Sequence, residues 1–351
     1  VRLTGEKSVS KQTLLWGWAA VTIAVATVSN VHAQSAGASR VLRLKPQDGN
    51  PAAPVVTSLA IDPRGEFLTA AGDDHTIRVI HQEQFEEVRV LRKHQDWVRS
   101  MDFRAADRIL VSAGNDGQVI LWDGKQDWQI QQTLQGAPAL ACVRFSPQGG
   151  MLAAVGFHPQ LFLLQQGAAR RPVLQCGCND MRVVEFSPNM RLVVAAGRSG
   201  LAHFFDPGTG ESAGEFELHK DRIRDLVFMP GSDTMVSVSE DRNVVVFDSL
   251  NGEVLHTIPI QGCKLFTVAA LDSTRVAVGG ASNQIRIVDV SRGTVQQTLT
   301  GHTGSIAVLK ANSKYLFSGS FDATIRRWSL EQILQQPRTV QRPDETPQPV
   351  R

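Results

Sequence analysis

The sequence predicts an all-β protein, a seven-bladed β-propeller of four-stranded antiparallel blades, and three observations carry the prediction. The first is the stretch Gly301 to Ser329. Its short apolar or β-branched runs, Ile306 to Leu309, Tyr315 to Ser318 and Ile325 to Trp328, are separated by Ala-Asn-Ser-Lys and Ser-Phe-Asp-Ala. Runs of this length, punctuated by turn formers, read as consecutive strands joined by tight turns. The second is that its landmarks recur: a His, a Ser four residues before an Asp, and an aromatic six residues after that Asp. They stand as His302, Ser318, Asp322 and Trp328, as His94, Ser112, Asp116 and Trp122, and as His219, Ser237, Asp241 and Phe247. The third is the period. The turn position passes through Asp74, Asp116, His158, Ser199, Asp241, Ser282 and Asp322 in steps of 42, 42, 41, 42, 41 and 40 residues, giving seven units. One small sheet cannot bury both faces alone, so units of this size must stack around a central channel.

Residues 1–33 are a different kind of sequence. Arg2, Lys7 and Lys11 precede an uncharged apolar run, Leu14 to Val28, that contains Trp16 and Trp18 and gives way to Ser29-Asn30-Val31-His32-Ala33. A basic start, an apolar centre and small closing residues form the pattern of a secretory signal peptide, and the run is short for a membrane span. The expectation is cleavage after Ala33, a periplasmic or secreted protein, and no stable membrane span once the leader is gone; an uncleaved anchor and a chance apolar leader are the alternatives. Ser39 to Pro46 alternates polar and apolar as an outer strand should, yet belongs to no repeat of its own. The last repeat lacks a fourth strand after Trp328, where Leu330 to Gln336 reads as a short helical turn. The resemblance to known propellers implies that the N-terminal strand pairs into the last blade and closes the ring, so that the propeller spans residues 39–330. Residues 331–351 follow as the helical turn and a Pro-rich tail, with Pro337, Pro343, Pro347 and Pro349, expected to be disordered.

Composition fits a turn-rich β protein, with 29 Gly and 42% hydrophobic residues. Without residues 1–33, which hold three basic and one acidic side chain, 33 of each sign remain. Such a balance implies no bulk attraction to nucleic acid.

On the landmarks quoted above, the chain resembles the tryptophan-aspartate (WD) repeat family of β-propellers. The name dipeptide stands as Trp122-Asp123 and, degraded, as Phe205-Asp206, Phe247-Asp248 and Val288-Asp289. The resemblance implies that each His, Ser, Asp and Trp set is a buried relay, in which Asp holds the His ring, Ser bonds the ring, and Trp donates its indole N–H to Ser. A catalytic triad at His302, Ser318 and Asp322 is the sharper alternative, but three copies at repeat spacing fit structure better than one active site. No HExxH, GxxxxGK[ST], GxSxG or CxxCH motif occurs, so the hydrolase, nucleotide and haem readings lack their residues. Gly208, Gly210 and Gly214 are mis-spaced for a dinucleotide loop and read as a turn. Of the four Cys, Cys176 and Cys178 are too close for an unstrained bridge and nominate no further metal ligands, and Cys142 is expected to be a buried thiol. No catalytic residue, metal or cofactor is expected.

What remains is a binding surface. The resemblance implies that peptides or proteins dock on the face bearing the turns between outer and inner strands and between the second and third strands. Aligning the inner strands as DWVRSMDF, NDMRVVEF and DRIRDLVF places Arg99, Arg182 and Arg224 at one repeat position, with Thr57, Ala141, Thr267 or Phe266, and Ala307 elsewhere. Three Arg, with Asp96, Trp97, Asp221 and Arg222 beside them, would rim one sector of the channel mouth and select an acidic peptide or protein. The bland alternative is that Arg is common at this position and pairs with neighbouring acids such as Asp96 and Asp221. The expected function is an exported, non-enzymatic protein-interaction scaffold. Its rivals are a propeller enzyme or a ligand- or metal-binding protein using the channel, and a structural subunit of a cell-envelope assembly.

Overall fold

The structure, a computed structural model, describes residues 39–46, 52–165, 173–175 and 179–335. The expected leader, the Cys176 and Cys178 pair and the Pro-rich tail lie outside the described residues. Within them the chain forms seven antiparallel sheets of four strands each. The innermost strands are Val56–Ile61, Val98–Phe103, Leu140–Phe145, Met181–Phe186, Ile223–Phe228, Leu265–Ala270 and Ile306–Ala311, one for each of blades 1 to 7. Each packs against the inner strands of both neighbouring blades, and the seventh meets the first. The result is a seven-bladed propeller.

Burial follows the position of a strand in its blade. In blade 2 the second strand, Ile109–Gly114, is buried throughout, while the outer strand Gln129–Leu134 is mostly exposed. Middle strands are covered on both faces by adjacent blades, so they read as unbroken Val, Ile, Leu and Ala runs; outer strands meet water and carry Gln, Glu and Thr. The core accordingly lies between blades. Phe67 of blade 1, for example, meets the Trp128 ring of blade 2 edge-on at 5.8 Å.

Ring closure is non-local. Arg40–Arg43 pairs antiparallel with Thr324–Ser329, in the register Arg40 to Arg327 through Arg43 to Thr324, and completes the last blade. Leu44, which follows it, is buried beside Val56, Phe317 and Ile325. The chain then leaves the propeller through a short helix, Leu330–Leu334, with Leu330 and Ile333 buried. Gly208 and Gly210 lie in the connection between Leu201–Phe205 and Ser212–Glu217, with Gly210 at φ 78°, whereas Gly214, also read as part of the turn, lies within the second strand opposite Phe204.

One feature recurs in all seven blades and shapes the channel mouth. The pairing of the inner strand with its neighbour slips at the second residue: Thr57, Arg99, Ala141, Arg182, Arg224, Phe266 and Ala307. A bulge of this kind re-aims a side chain without ending the sheet. The seven bulged residues all line the channel cavity.

Candidate functional site: the channel mouth and its supports

The turns around the mouth are held by the His, Ser and Asp sets. In blade 2, His94 Nδ1 lies 2.8 Å from Asp116 and Nε2 lies 2.8 Å from Ser112 Oγ, which accepts the Trp122 indole N–H at 2.9 Å. Blade 7 repeats this with His302, Asp322, Ser318 and Trp328 at 3.0, 2.8 and 2.9 Å. In blade 5, His219 reaches Asp241 at 2.9 Å and Ser237 at 2.8 Å, with Phe247 in the place of the indole. An ionised carboxylate only accepts, so Nδ1 carries the proton towards Asp, and in a neutral ring Nε2 then accepts from the Ser hydroxyl. Ser112, Ser237 and Ser318 are fully buried, so no substrate can reach these hydroxyls.

Burial pushes His94 and His302 below the ordinary imidazole value of 6.5, against the pull of Asp116 and Asp322. Burial opposes the charge on Asp241 and Asp322, but hydrogen bonds outweigh it and hold both at about 2 rather than 3.8. For Asp241 these come from His219 and the Asn243 and Lys220 amides; for Asp322 from Thr324, the Thr303 amide and His302. Both effects act in one direction. The unfolded chain takes up His protons below about 6.5, and carboxylate protons below about 4, that the folded chain resists, so stability falls with acidification. Melting temperatures are expected to be level from pH 8 to about 6.5, to decline below it, and to drop more steeply from about pH 4 towards 2. A melting temperature unchanged from pH 8 to 4 would show that the relays do not carry this stability.

At the mouth, each bulged Arg lies over an aromatic ring. Arg99 sits 4.4 Å from the Trp97 ring centre, Arg182 4.5 Å from Phe157, and Arg224 5.1 Å from Phe266. Polar anchors fix them further. Arg99 Nε donates to Asn115 Oδ1 at 2.9 Å, Arg182 Nε lies 2.6 Å from Asp180, and Arg224 lies 3.4 Å from Glu240. Arg222 bridges Asp180 at 2.8 Å and Glu240 at 3.1 Å, and Lys264 reaches Glu240 at 3.2 Å. Two carboxylates thus hold four cations, and the sector keeps a positive excess. Burial first, and then the charge of Arg182, pull both Arg99 and Arg224 below the ordinary guanidinium value.

Arg182 and Arg224 thus do pair with neighbouring acids, Asp180 and Glu240, as the bland alternative has it, whereas its two example acids, Asp96 and Asp221, accept the backbone N–H groups of Trp97 at 2.6 Å and Arg222 at 2.7 Å. The open choice between Thr267 and Phe266 falls to Phe266. Thr267 is the next residue, and its hydroxyl bonds Asp225 at 3.1 Å and accepts the Leu309 amide at 3.0 Å. Below the rim lies a cavity of about 290 Å³ whose walls include Cys142, Arg144, Asp225 and Lys310. Arg144 meets Glu185 at 3.2 Å, and Asp102 accepts the Phe145 amide at 2.8 Å. Burial drives Asp102 and Glu185 upward, and the charge of Arg144 followed by burial drives Lys310 downward. Cys142 is a buried free thiol.

Sequence reasoning missed Asn115, Phe157, Asp180, Glu240 and Phe321. A signal existed for four of them. Asp73, Asn115, Phe157, Arg198, Glu240, Ala281 and Phe321 each stand one residue before the periodic turn position. In blades 2 to 7 the amide of this residue donates to the carbonyl at the start of the inner strand, as Asn115 to Trp97 at 3.0 Å and Phe321 to Ser305 at 3.0 Å. These residues form a second ring around the bulged one. The close approach is visible at Gly114, where a Cβ would lie 2.3 Å from the Trp97 carbonyl oxygen.

Fold and mouth define a closed propeller whose channel opening presents side chains from every blade, built on histidine relays. Residues 43–81, 85–123, 210–248 and 293–329 match the family described as WD domain, G-beta repeat, the family whose fold the seven blades reproduce. It is 26% identical over 284 residues to the nuclear distribution protein nudF of Aspergillus niger, covering 79% of this chain and 59% of that protein. Against the nuclear distribution protein PAC1 of Coccidioides posadasii it is 26% identical over 312 residues, covering 81% and 59% respectively. An autophagy-related protein 16 of Arabidopsis thaliana is 29% identical over 145 residues, 39% of this chain and 28% of that one. The chain thus spans less than two thirds of the length of the nuclear distribution proteins it matches.

These relatives correct the expectation of a periplasmic or secreted protein, since they are nuclear distribution proteins of fungi. The leader reading rests on local composition alone, a basic start, an apolar centre and small closing residues. Among the described residues, no helix is long and apolar enough to cross a membrane.

Proposed function

We propose that the chain is a non-enzymatic protein-interaction scaffold that receives an acidic peptide or protein segment at the Arg99, Arg182 and Arg224 rim. The observation that carries this reading is the convergence of three ring-stacked guanidiniums on one channel mouth, with two carboxylates shared among four neighbouring cations. A guanidinium offers a planar fork of donors to a carboxylate and keeps its charge at any physiological pH. Stacking on Trp97, Phe157 and Phe266 holds each fork in place before a ligand arrives, which lowers the ordering cost of binding. The near-neutral remainder of the chain leaves this local charge as the main attraction for an acidic segment. A scaffold rather than an enzyme is supported by the inaccessible relay hydroxyls. It is also supported by the relatives' names, which describe cellular roles and not reactions.

A displayed random-peptide library panned against the protein is expected to yield acidic sequences whose binding weakens with salt. Replacing Arg99, Arg182 and Arg224 together by Ala should lower their affinity by about 100-fold or more, since each charge-assisted hydrogen bond contributes roughly 1.5–3 kcal/mol. The fold should survive, because partly exposed ion pairs of this kind contribute about 1 kcal/mol each at most. Selected peptides without acidic residues, or equal binding by the triple variant, would refute the reading.

A further inference from the structure

Among the described residues the exposed large aromatic side chains are Trp97, Phe157 and Phe321, and all three lie on the face of the channel mouth. Two of them are covered by a guanidinium. Phe157 and Phe321 occupy the same repeat position, in the turns of blades 3 and 7, yet their surroundings differ. The bulged residue of the blade after Phe157 is Arg182, which lies over its ring; the bulged residue of the blade after Phe321 is Thr57. Thr57 is too short to cover a phenyl ring, and its hydroxyl is turned to the carbonyls of Val98 at 2.7 Å and Ala71 at 3.1 Å. Phe321 therefore stands 51% exposed, against 38% for Phe157, with no ring or cation upon it, while lining the cavity that the three Arg also line. Its side of the mouth is otherwise small or apolar: Thr57, Ala307 and Phe266.

Resting on the reading of the rim as an acidic-peptide site, we infer that the mouth is bipartite: the partner segment carries a large apolar side chain, best an aromatic, beside its acidic residue. The carboxylate meets the Arg99, Arg182 and Arg224 sector and the apolar side chain stacks on Phe321. The charge of one sector fixes the occupant as an acidic segment, and the bare ring opposite selects what accompanies the acid. An aromatic ring placed there gains area burial together with an edge or offset contact, while the charged sector orients it. Phe321 is on this account the residue that sets specificity, and the three Arg supply charge recognition.

The test uses three labelled synthetic peptides of one length: Glu in a Gly-Ser background, the same with one Trp two residues from the Glu, and the Trp peptide with Gln in place of Glu. Fluorescence anisotropy on the full chain should show the Glu-Trp peptide binding about 10-fold tighter than the Glu peptide, the size of a modest interface anchor. Phe321→Ser is expected to abolish that advantage, so that the Glu-Trp and Glu peptides bind the variant alike. An independent variant, Thr57→Arg, places a guanidinium where Arg182 stands relative to Phe157. It should erase the Trp advantage while tightening the Glu peptide. If neither variant reduces the advantage, or the parent shows none, the bipartite mouth is overturned and the Arg rim stands. If the Glu peptide binds the parent and the triple Arg→Ala variant alike, or no peptide binds, the rim itself is not the site and the inference falls with it.

Discussion

Deleting Ser39 to Pro46 is expected to lower the melting temperature by about 10 °C or more and to promote aggregation. The segment supplies the outer strand of the last blade and ties three elements together. Arg40 donates to the carbonyls of Glu83 at 3.1 Å and Gln84 at 3.0 Å, Ser39 accepts from Arg326 at 2.9 Å, and the Leu44 amide bonds Ala323 at 2.9 Å. Leu44 is 2% exposed, and losing a buried Leu side chain alone costs about 2–5 kcal/mol. Its removal also bares Thr324–Ser329 as an unpaired edge, a template for pairing with another chain. Thermal melts and light scattering on the truncated chain check both effects. A truncated chain that melts with the parent would mean the ring closes without this strand.

Replacing Arg78 by Ala is expected to destabilise the fold by about 3–5 kcal/mol, the usual result of leaving a buried carboxylate without its partner. Blade 1 has Asp74 at the turn but no His, Ser and Trp set, and Arg78 takes over the relay's role. Its fully buried guanidinium meets Asp74 at 2.6 Å, Thr76 at 2.9 Å and the Lys45 carbonyl at 3.2 Å, with Glu87 3.3 Å from Nε. The contact with Lys45 links this turn to the closing strand, so the variant should resemble the deletion in part. Denaturant unfolding reads the loss directly. Replacing Asp74 and Arg78 together by Leu should recover part of it, because a buried pair exchanged for apolar groups leaves no stranded charge. If Arg78→Ala unfolds at the parent's midpoint, the ion pair contributes nothing to blade 1.

By itself the sequence determined the repeat, and with it the blade count and the landmark positions, while the relays and the closing strand came from the family resemblance. The repeat is a local pattern copied along the chain: alternation within strands, turn formers between them, and His, Ser, Asp and Trp at fixed offsets. A pattern repeated every 40 to 42 residues is legible without knowing what touches what. The position of Arg99, Arg182 and Arg224 was legible for the same reason. The tertiary structure alone decided what those Arg meet. These contacts between blades join residues 25 and 42 positions apart, Arg182 lying on Phe157 and Arg222 on Asp180, while Asp96 and Asp221, adjacent in sequence, turn to the backbone. The bulge in every inner strand adds to this, because it breaks the alternation by which side-chain direction is read from a strand. Whether an aromatic at the turn is covered or bare depends on the bulged residue of the next blade, long at Arg182 and short at Thr57. That pairing exists only once the blades have stacked, which is why Phe157 and Phe321, equivalent in the sequence, differ in the fold.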